Sequence, residues 1–207
     1  MLKNADNTEC KLPNGKVVFF ATGNLNKFNE ARSILNQYGF GVGMLKLKGD
    51  EVQSDSLQEI AEKSVKNAYD ACHLPVFVED AGLFIDALKG FPGPYAAYVY
   101  KTIHNSGVLK LMEEEKNRKA VFQSVIAFCS KETPIPASFF GESTGKITQT
   151  QRIEAGKSGF GFDPIFQPDG SSKTFAEMAI TEKNGYSHRA NAICKFAEWY
   201  KAQFKKH

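Results

Sequence analysis

Asp80 closes an apolar run, Pro75-Val76-Phe77-Val78-Glu79-Asp80. Ligands of open α/β sheets bind beyond the carboxyl ends of strands, so a carboxylate there can hold a metal or act as a base. Glu79 is expected on the opposite face, because side chains alternate along a strand. Glu51, in Asp50-Glu51-Val52-Gln53, precedes a predicted helix and could bring a second carboxylate. Mg²⁺ takes one or two carboxylates together with phosphate oxygens and waters. Taken alone, Glu51 reads equally as a solvated loop acid.

Thr22-Gly23-Asn24-Leu25-Asn26-Lys27 lies between a predicted strand and a predicted helix. Unpaired amides at a helix start attract anions, and glycine lets a backbone approach them closely. Thr22 and Asn24 add polar side chains, and Lys27 adds a positive charge. The spacing is neither GxGxxG nor GxxxxGK[ST]. A plain strand–helix turn capped by Asn24 or Asn26 accounts for the same residues. Lys63 has the charge to reach a phosphate, although a lone helical lysine is usually solvated.

Lys183-Asn184-Gly185-Tyr186-Ser187-His188-Arg189 places cations at or just before a helix start. Positive charge there opposes the helix dipole, which makes sense if an anion or electron-rich ligand edge lies nearby. Ser158-Gly159-Phe160-Gly161-Phe162-Asp163-Pro164 offers a pliable backbone, two aromatic faces and a carboxylate. Aromatic rings stack on bases, for about 1–3 kcal/mol per base in nucleic-acid complexes. The alternative is a packed turn whose phenylalanines belong to the core.

The elements that must position these residues follow from periodicity. Val17–Ala21 is a short apolar strand. Asn26 to Tyr38 is helical, with Gly39 as its stop, and Val42 to Leu47 is a second strand. Ser56 caps a helix to about His73, with Glu59 placed for a capping box. Pro75–Val78 is the next strand, ending in Glu79-Asp80. Strand alternating with helix predicts an α/β sheet. Gly90 to Pro94 is a turn-rich loop; Tyr95 to Ile103 and Val108 to Glu115 are helical. Ala120 to Cys129 and Ala137 to Thr148 can pair as an antiparallel ribbon. Ser187 is the N-cap of the last helix. Residues 1–15 read as a loose extension before one domain with two lobes, 16–207.

The 207 residues carry a net charge of +3, with 42% hydrophobic and 24% charged residues, ordinary for a soluble globular protein. That balance gives little support for a nucleic-acid-coating or membrane-coating protein, and no run reaches transmembrane length. Four dispersed cysteines without CxxC spacing fit reduced thiols and a cytoplasmic setting.

In this order and spacing, Thr22-Gly23-Asn24…Lys27, Val78-Glu79-Asp80-Ala81-Gly82-Leu83, Phe91-Pro92-Gly93-Pro94-Tyr95, Gly159 to Phe166 and Ser187-His188-Arg189 resemble the inosine triphosphate pyrophosphatase family. The resemblance runs from about Val17 to the last helix, and Pro94 to Met112 looks most like archaeal members. It implies an elongated mixed β-sheet flanked by helices, two lobes with a central nucleotide-binding cleft, a homodimer and Mg²⁺ dependence. It implies hydrolysis of ITP, dITP and XTP to the monophosphate and pyrophosphate. By position, Asp80 looks like the catalytic base and a metal ligand, and Glu51 like the other metal residue. Thr22, Asn24, Lys27 and Lys63 look like phosphate-site residues, and Gly23, Ala81 and Ser187 like further substrate-binding positions. Phe160, Gly161, Phe162, Asp163, Lys183, His188 and Arg189 look like the nucleoside-binding positions. Phe162 stands where many relatives carry Tyr or Trp. Two other classes stay open: a nucleotide-sensing module without turnover, and a related hydrolase for other modified nucleotides. An RNA-binding role is more distant, since no basic-aromatic stripe stands out.

Overall fold

The computed structural model of the protein describes residues 17–47, 53–154 and 159–203. The expected N-terminal extension, Glu51 and Ser158 lie outside the described residues.

Strand β1 (Val17–Ala21) is followed by helix α1 (Leu25–Gln37) and strand β2 (Gly41–Leu45). β-Branched and aromatic side chains suit β1 to a sheet covered on both faces. Val18 and Phe20 pack towards α1, and Phe19 and Ala21 pack towards the opposite face. Asn24 caps α1: its side-chain oxygen accepts the amides of Asn26 and Lys27 at 3.0 and 3.2 Å. Helix α2 (Leu57–Cys72) starts at the expected cap, with Ser56 Oγ accepting the Glu59 amide. The Ser56 amide donates to Ser54 Oγ, which in turn donates to the Glu59 carboxylate at 2.6 Å, so Ser54 stands between the two ends of the expected capping box.

Strand β3 (Val76–Ile85) differs from expectation, because it does not stop at Asp80. It pairs in parallel with β1 only at Phe19–Val76 and Phe20–Phe77. Strand β5 (Lys119–Cys129), however, holds it antiparallel along its whole length, from Val76–Cys129 to Ile85–Ala120. That second ladder carries the strand past the point where its apolar run ends. Asp80 is therefore mid-strand, yet beyond the last residue that pairs with β1.

The loop after β3 contributes β4 (Pro92–Gly93), which pairs back onto β3 at Leu83 and Phe84. A Cβ at Gly82 would lie 2.6 Å from the Gly93 carbonyl oxygen, so glycine permits that approach. Helix α3 (Ala96–Leu111) joins the two expected helices, broken at His104, where φ is 56° and ψ −169°. Its second half ends at Leu111 rather than Glu115. Strand β6 (Ala137–Ile147) forms the expected ribbon with β5 and carries β7 (Phe166–Pro168) on its other edge. A short helix, α4 (Ile180–Lys183), precedes the last helix, α5 (His188–Gln203).

The mixed sheet runs β2-β1-β3-β5-β6-β7, with β4 off the path as its seventh strand. Helix α2 covers one face through Leu57, Ala61, Val65 and Ala68. Helices α1 and α5 cover the other, where Phe20, Phe77, Phe128 and Phe196 form an aromatic core. A third cluster around Leu83, Met112, Phe122, Phe166 and Phe175 lies towards α3 and β7.

Gly141 on β6 sits under the start of α5, and a Cβ there would lie 2.2 Å from the His188 carbonyl oxygen and 2.4 Å from the Ala192 nitrogen. Backbone cannot swing aside as a side chain can. Gly141→Ala should cost about 1–3 kcal/mol by overpacking. Urea unfolding checks this; an unchanged midpoint would show that α5 is not seated on β6 as described.

Candidate active site

The start of α1, the middle of β3, the first half of α3, residues 159–163 and the start of α5 enclose a cavity of about 360 Å³. Nine residues expected at a site line it: Asn24, Lys27, Ala81, Phe160, Gly161, Phe162, Asp163, His188 and Arg189. So do Ala96, Ala97, Tyr100 and Lys101 of α3 and Phe122 of β5, which sequence reasoning did not place there.

Beside the cavity, six charges alternate in sign. Lys27 Nζ lies 2.8 Å from Glu79 Oε2, and Glu79 Oε1 accepts from Arg189 Nε at 3.0 Å. Arg189 Nη1 donates to Glu30 Oε2, and Glu30 Oε1 accepts from Lys183 Nζ at 2.9 Å. Lys183 Nζ also donates to Asp163 at 2.7 Å. Lys27 further donates to the Glu79 carbonyl oxygen, and Ser124 Oγ donates to Glu79 Oε1. All but Lys27 are buried. Burial pushes the Glu79 carboxyl up, but the Arg189 and Lys27 charges together hold it well below its ordinary range. Glu30 is also held down, as Arg189 and Lys183 outweigh its burial. Asp163 is raised, because its burial outweighs Lys183.

The expectation for the cations Arg189 and Lys183 was a nearby anion or an electron-rich ligand edge. Their anions are the protein's own carboxylates. Glu30 and Glu79 were missed as members of this cluster. The only signal for Glu30 was an acid on the face of α1 that also carries Ala31 and Ile34. The expected alternation along β3 does hold. Phe77 belongs to the core under α1 and α5, whereas Val76 and Val78 belong to the core under α2. Glu79 therefore shares the Phe77 face, and Asp80 shares the α2 face.

Asp80 is half-buried and has no hydrogen bond or ion pair with another described residue. Burial raises its pKa; Lys27 opposes this and Glu79 adds to it. A desolvated carboxylate without donors favours a cation beside it. Among the described residues, no group of three or more His, Cys, Asp or Glu could hold a metal.

His188 is buried, and its ring lies flat on Phe122, with centroids 4.6 Å apart and planes 8° apart. Burial first, then Arg189, lowers its pKa well below the ordinary value, so the imidazole is neutral. Neither ring nitrogen has a hydrogen-bond partner among the described residues. Buried polar atoms are normally satisfied, so an unpartnered pair on a residue that lines the cavity stands out. Phe160 has the Arg189 and Lys183 charges over its ring at 5.9 and 6.0 Å. Phe162 is buried edge-on against Tyr100 while also lining the cavity. Gly161 adopts φ +54°, a conformation natural to glycine, and its carbonyl accepts from Asn105.

The other expected positions among the described residues, Asp80 and Lys183 included, lie off the lining. Thr22 Oγ1 accepts the Asn24 amide, and Gly23 is exposed with open space at its Cβ position. Ser187 is buried under α5, its Oγ near the Ala190 amide at 3.5 Å. Lys63 is exposed on α2.

A family model for the Ham1 family matches residues 18–199. The chain belongs to the Ham1 family. A dITP/XTP pyrophosphatase of Methanopyrus kandleri is 51% identical over 184 residues, covering 89% of this chain and 96% of that protein. One of Thermococcus kodakarensis is 49% identical over 186 residues, covering 90% and 98%. The fold is similar to the Ham1 protein of Staphylococcus aureus, with a TM-score of 0.77 at 26% identity, covering 91% of this chain and 100% of that one. It is also similar to a HAM1 protein of Coxiella burnetii, with a TM-score of 0.78 at 26% identity, covering 90% and 98%. This Ham1 fold is the α/β architecture with a long mixed sheet that the sequence implied.

The neutral state of His188 has a consequence for stability. The unfolded chain takes up a proton on this residue below about pH 6.5 that the folded chain refuses. Stability contributed by His188 is therefore level above that pH and falls as pH drops below it, with a slope approaching about 1.4 kcal/mol per pH unit for one proton. His188→Leu should flatten the profile between pH 6.5 and 5, measured by urea unfolding against the parent. Parallel profiles would mean that His188 accepts its proton in the fold.

Proposed function

We propose that this Ham1-family protein hydrolyses noncanonical purine nucleoside triphosphates, among them dITP, ITP and XTP, to the monophosphate and pyrophosphate. The observation that carries the reading is the single cavity on which Lys27, Arg189, His188 and the Phe160 and Phe162 rings converge. The names of the archaeal relatives support the same substrate class.

Base choice follows from hydrogen-bond chemistry. Hypoxanthine and xanthine carry a keto oxygen at C6, and adenine carries an amino group. A remaining Arg189 N–H donates to the oxygen, whereas the neutral His188 imidazole, with one donor and one acceptor nitrogen, can serve either edge. Against adenine the Arg189 donor is left unpaired, at about 1–3 kcal/mol per buried group. Phe160 and Phe162 supply apolar ring surface for the base.

Asp80 is the base that takes a proton from water. Its raised pKa improves it for this role. The water oxygen bonds to the α-phosphorus, the bond from that phosphorus to the bridging oxygen breaks, and pyrophosphate leaves. Lys27, on the cavity lining, orients the phosphates. Asp80 fits one carboxylate of a Mg²⁺ site, being desolvated and without a donor among the described residues, with Glu51 as the expected second ligand. Bound Mg²⁺ would supply charge neutralisation on the phosphate oxygens. Lys63, exposed on a helix that packs against the Asp80 face of β3, completes the phosphate set in this reading. A homodimer is supported by apolar side chains exposed on and beside α3, including Tyr95, Tyr98 and Leu111. A cytoplasmic setting accords with a nucleotide substrate, and no described helix is long and apolar enough to cross a membrane.

The test is a panel of dITP, ITP, XTP, ATP, GTP and dUTP with Mg²⁺, read by pyrophosphate and by phosphate release. Pyrophosphate should appear from the first three, and ATP should lag by at least about tenfold, the factor for one unpaired buried donor. Asp80→Asn should bind dITP and lose about 10²–10⁴ in turnover, the usual span for a general base. Equal turnover of ATP and dITP would defeat the donor account, and near-normal turnover in Asp80→Asn would remove that residue from the role.

A further inference from the structure

We propose that Lys101 is the cation that anchors the substrate's phosphate charge from the α3 side of the cavity. This assignment rests on the reading of the cavity as a nucleoside triphosphate site.

Charge balance is the first observation. Lys27, Arg189 and Lys183 are matched one for one by Glu79, Glu30 and Asp163. Asp80 adds a further carboxylate near Lys27. The matched set therefore leaves no net positive charge to meet a polyphosphate. Lys101 lines the same cavity, is exposed, and has no hydrogen bond or ion pair with another described residue. A lysine ammonium is a strongly hydrated point charge on a flexible stem, suited to a phosphate oxygen at a wet mouth.

Geometry is the second observation. Helical side chains lean over the turn that precedes them. Lys101 accordingly lies over Ala97, one turn earlier, and Ala97 also lines the cavity. A methyl group there leaves the long side chain free to reach inward. The helix is also tied to the site. Asn105 is buried and donates through Nδ2 to the Gly161 carbonyl oxygen at 3.1 Å. The reversal at His104, where φ is 56°, separates the half that carries Lys101 from the half that carries Asn105 and buries Val108. The first half of α3 is held against the same segment by Tyr100, edge-on to Phe162 at 5.6 Å, with its lysine unspent.

The experiment compares Lys101→Met and Lys101→Arg with the parent in steady-state dITP hydrolysis, at low and high salt, with deoxyinosine as a competing nucleoside that lacks phosphate. Lys101 is exposed, so both variants should fold. Lys101→Met should raise KM for dITP by about three- to tenfold at low salt with kcat little changed, as loss of uniform binding requires. The effect should shrink in high salt. Inhibition by deoxyinosine should be unchanged, and Lys101→Arg should recover most of the affinity. An unchanged KM at low salt, or an equal loss of deoxyinosine inhibition, would overturn the assignment. A parent protein that releases no pyrophosphate from dITP would overturn the functional reading and this assignment together. A parent that turns over dITP while Lys101→Met matches it would overturn this assignment alone.

Discussion

Six side chains, Lys27, Glu79, Arg189, Glu30, Lys183 and Asp163, form an alternating chain of charge from which the rest of the site follows. Desolvating any one of them alone is costly, and each is tolerated because its neighbours have the opposite sign. The chain crosses α1, β3, the segment around Asp163, α4 and α5. Pairing therefore fixes these five pieces of backbone relative to one another, at the place where the cavity opens. Such a cluster is weak evidence for net stability and better evidence for a specified arrangement.

The same pairing decides what is left for a ligand. Most of the positive charge around the cavity is already balanced, so the available chemistry lies with groups outside the chain. Asp80 faces away from Glu79, half-buried and without a donor among the described residues. His188 is neutral and, among the described residues, unsatisfied, against Phe122. A carboxylate poised for a cation and a neutral imidazole poised for a base edge are different recognition elements, and the sheet holds them on opposite faces of β3.

Local signals in the sequence carried much of the fold. Asn24 and Ser56 cap the helices expected of them, and Val17–Ala21, α1, α2, the β5–β6 ribbon and α5 follow from periodicity. What escaped depends on distant partners. Strand β3 continues past Asp80 because β5, 35 to 43 residues further on for this stretch, supplies its ladder. Glu30 looked like one more helix acid until Lys183 and Arg189 came to it from more than 150 residues away. The motif residues Asn24, Lys27, Phe160 to Asp163, His188 and Arg189 were legible as a site, and the cavity gathers them. The contribution of α3 was not legible, because Ala97, Tyr100 and Lys101 have ordinary helical spacing and only the turn at His104 brings them over the cavity.

The central claim is that Glu30 and Arg189 act as one buried unit. A double-mutant cycle with Glu30→Gln and Arg189→Met, measured by urea unfolding, tests it most directly. Each single change should leave a partner uncompensated, and the pair together should cost less than the sum by about 1–3 kcal/mol, the range for residues sharing one network. Strictly additive losses would mean that the two charges are not coupled, and would contradict the account.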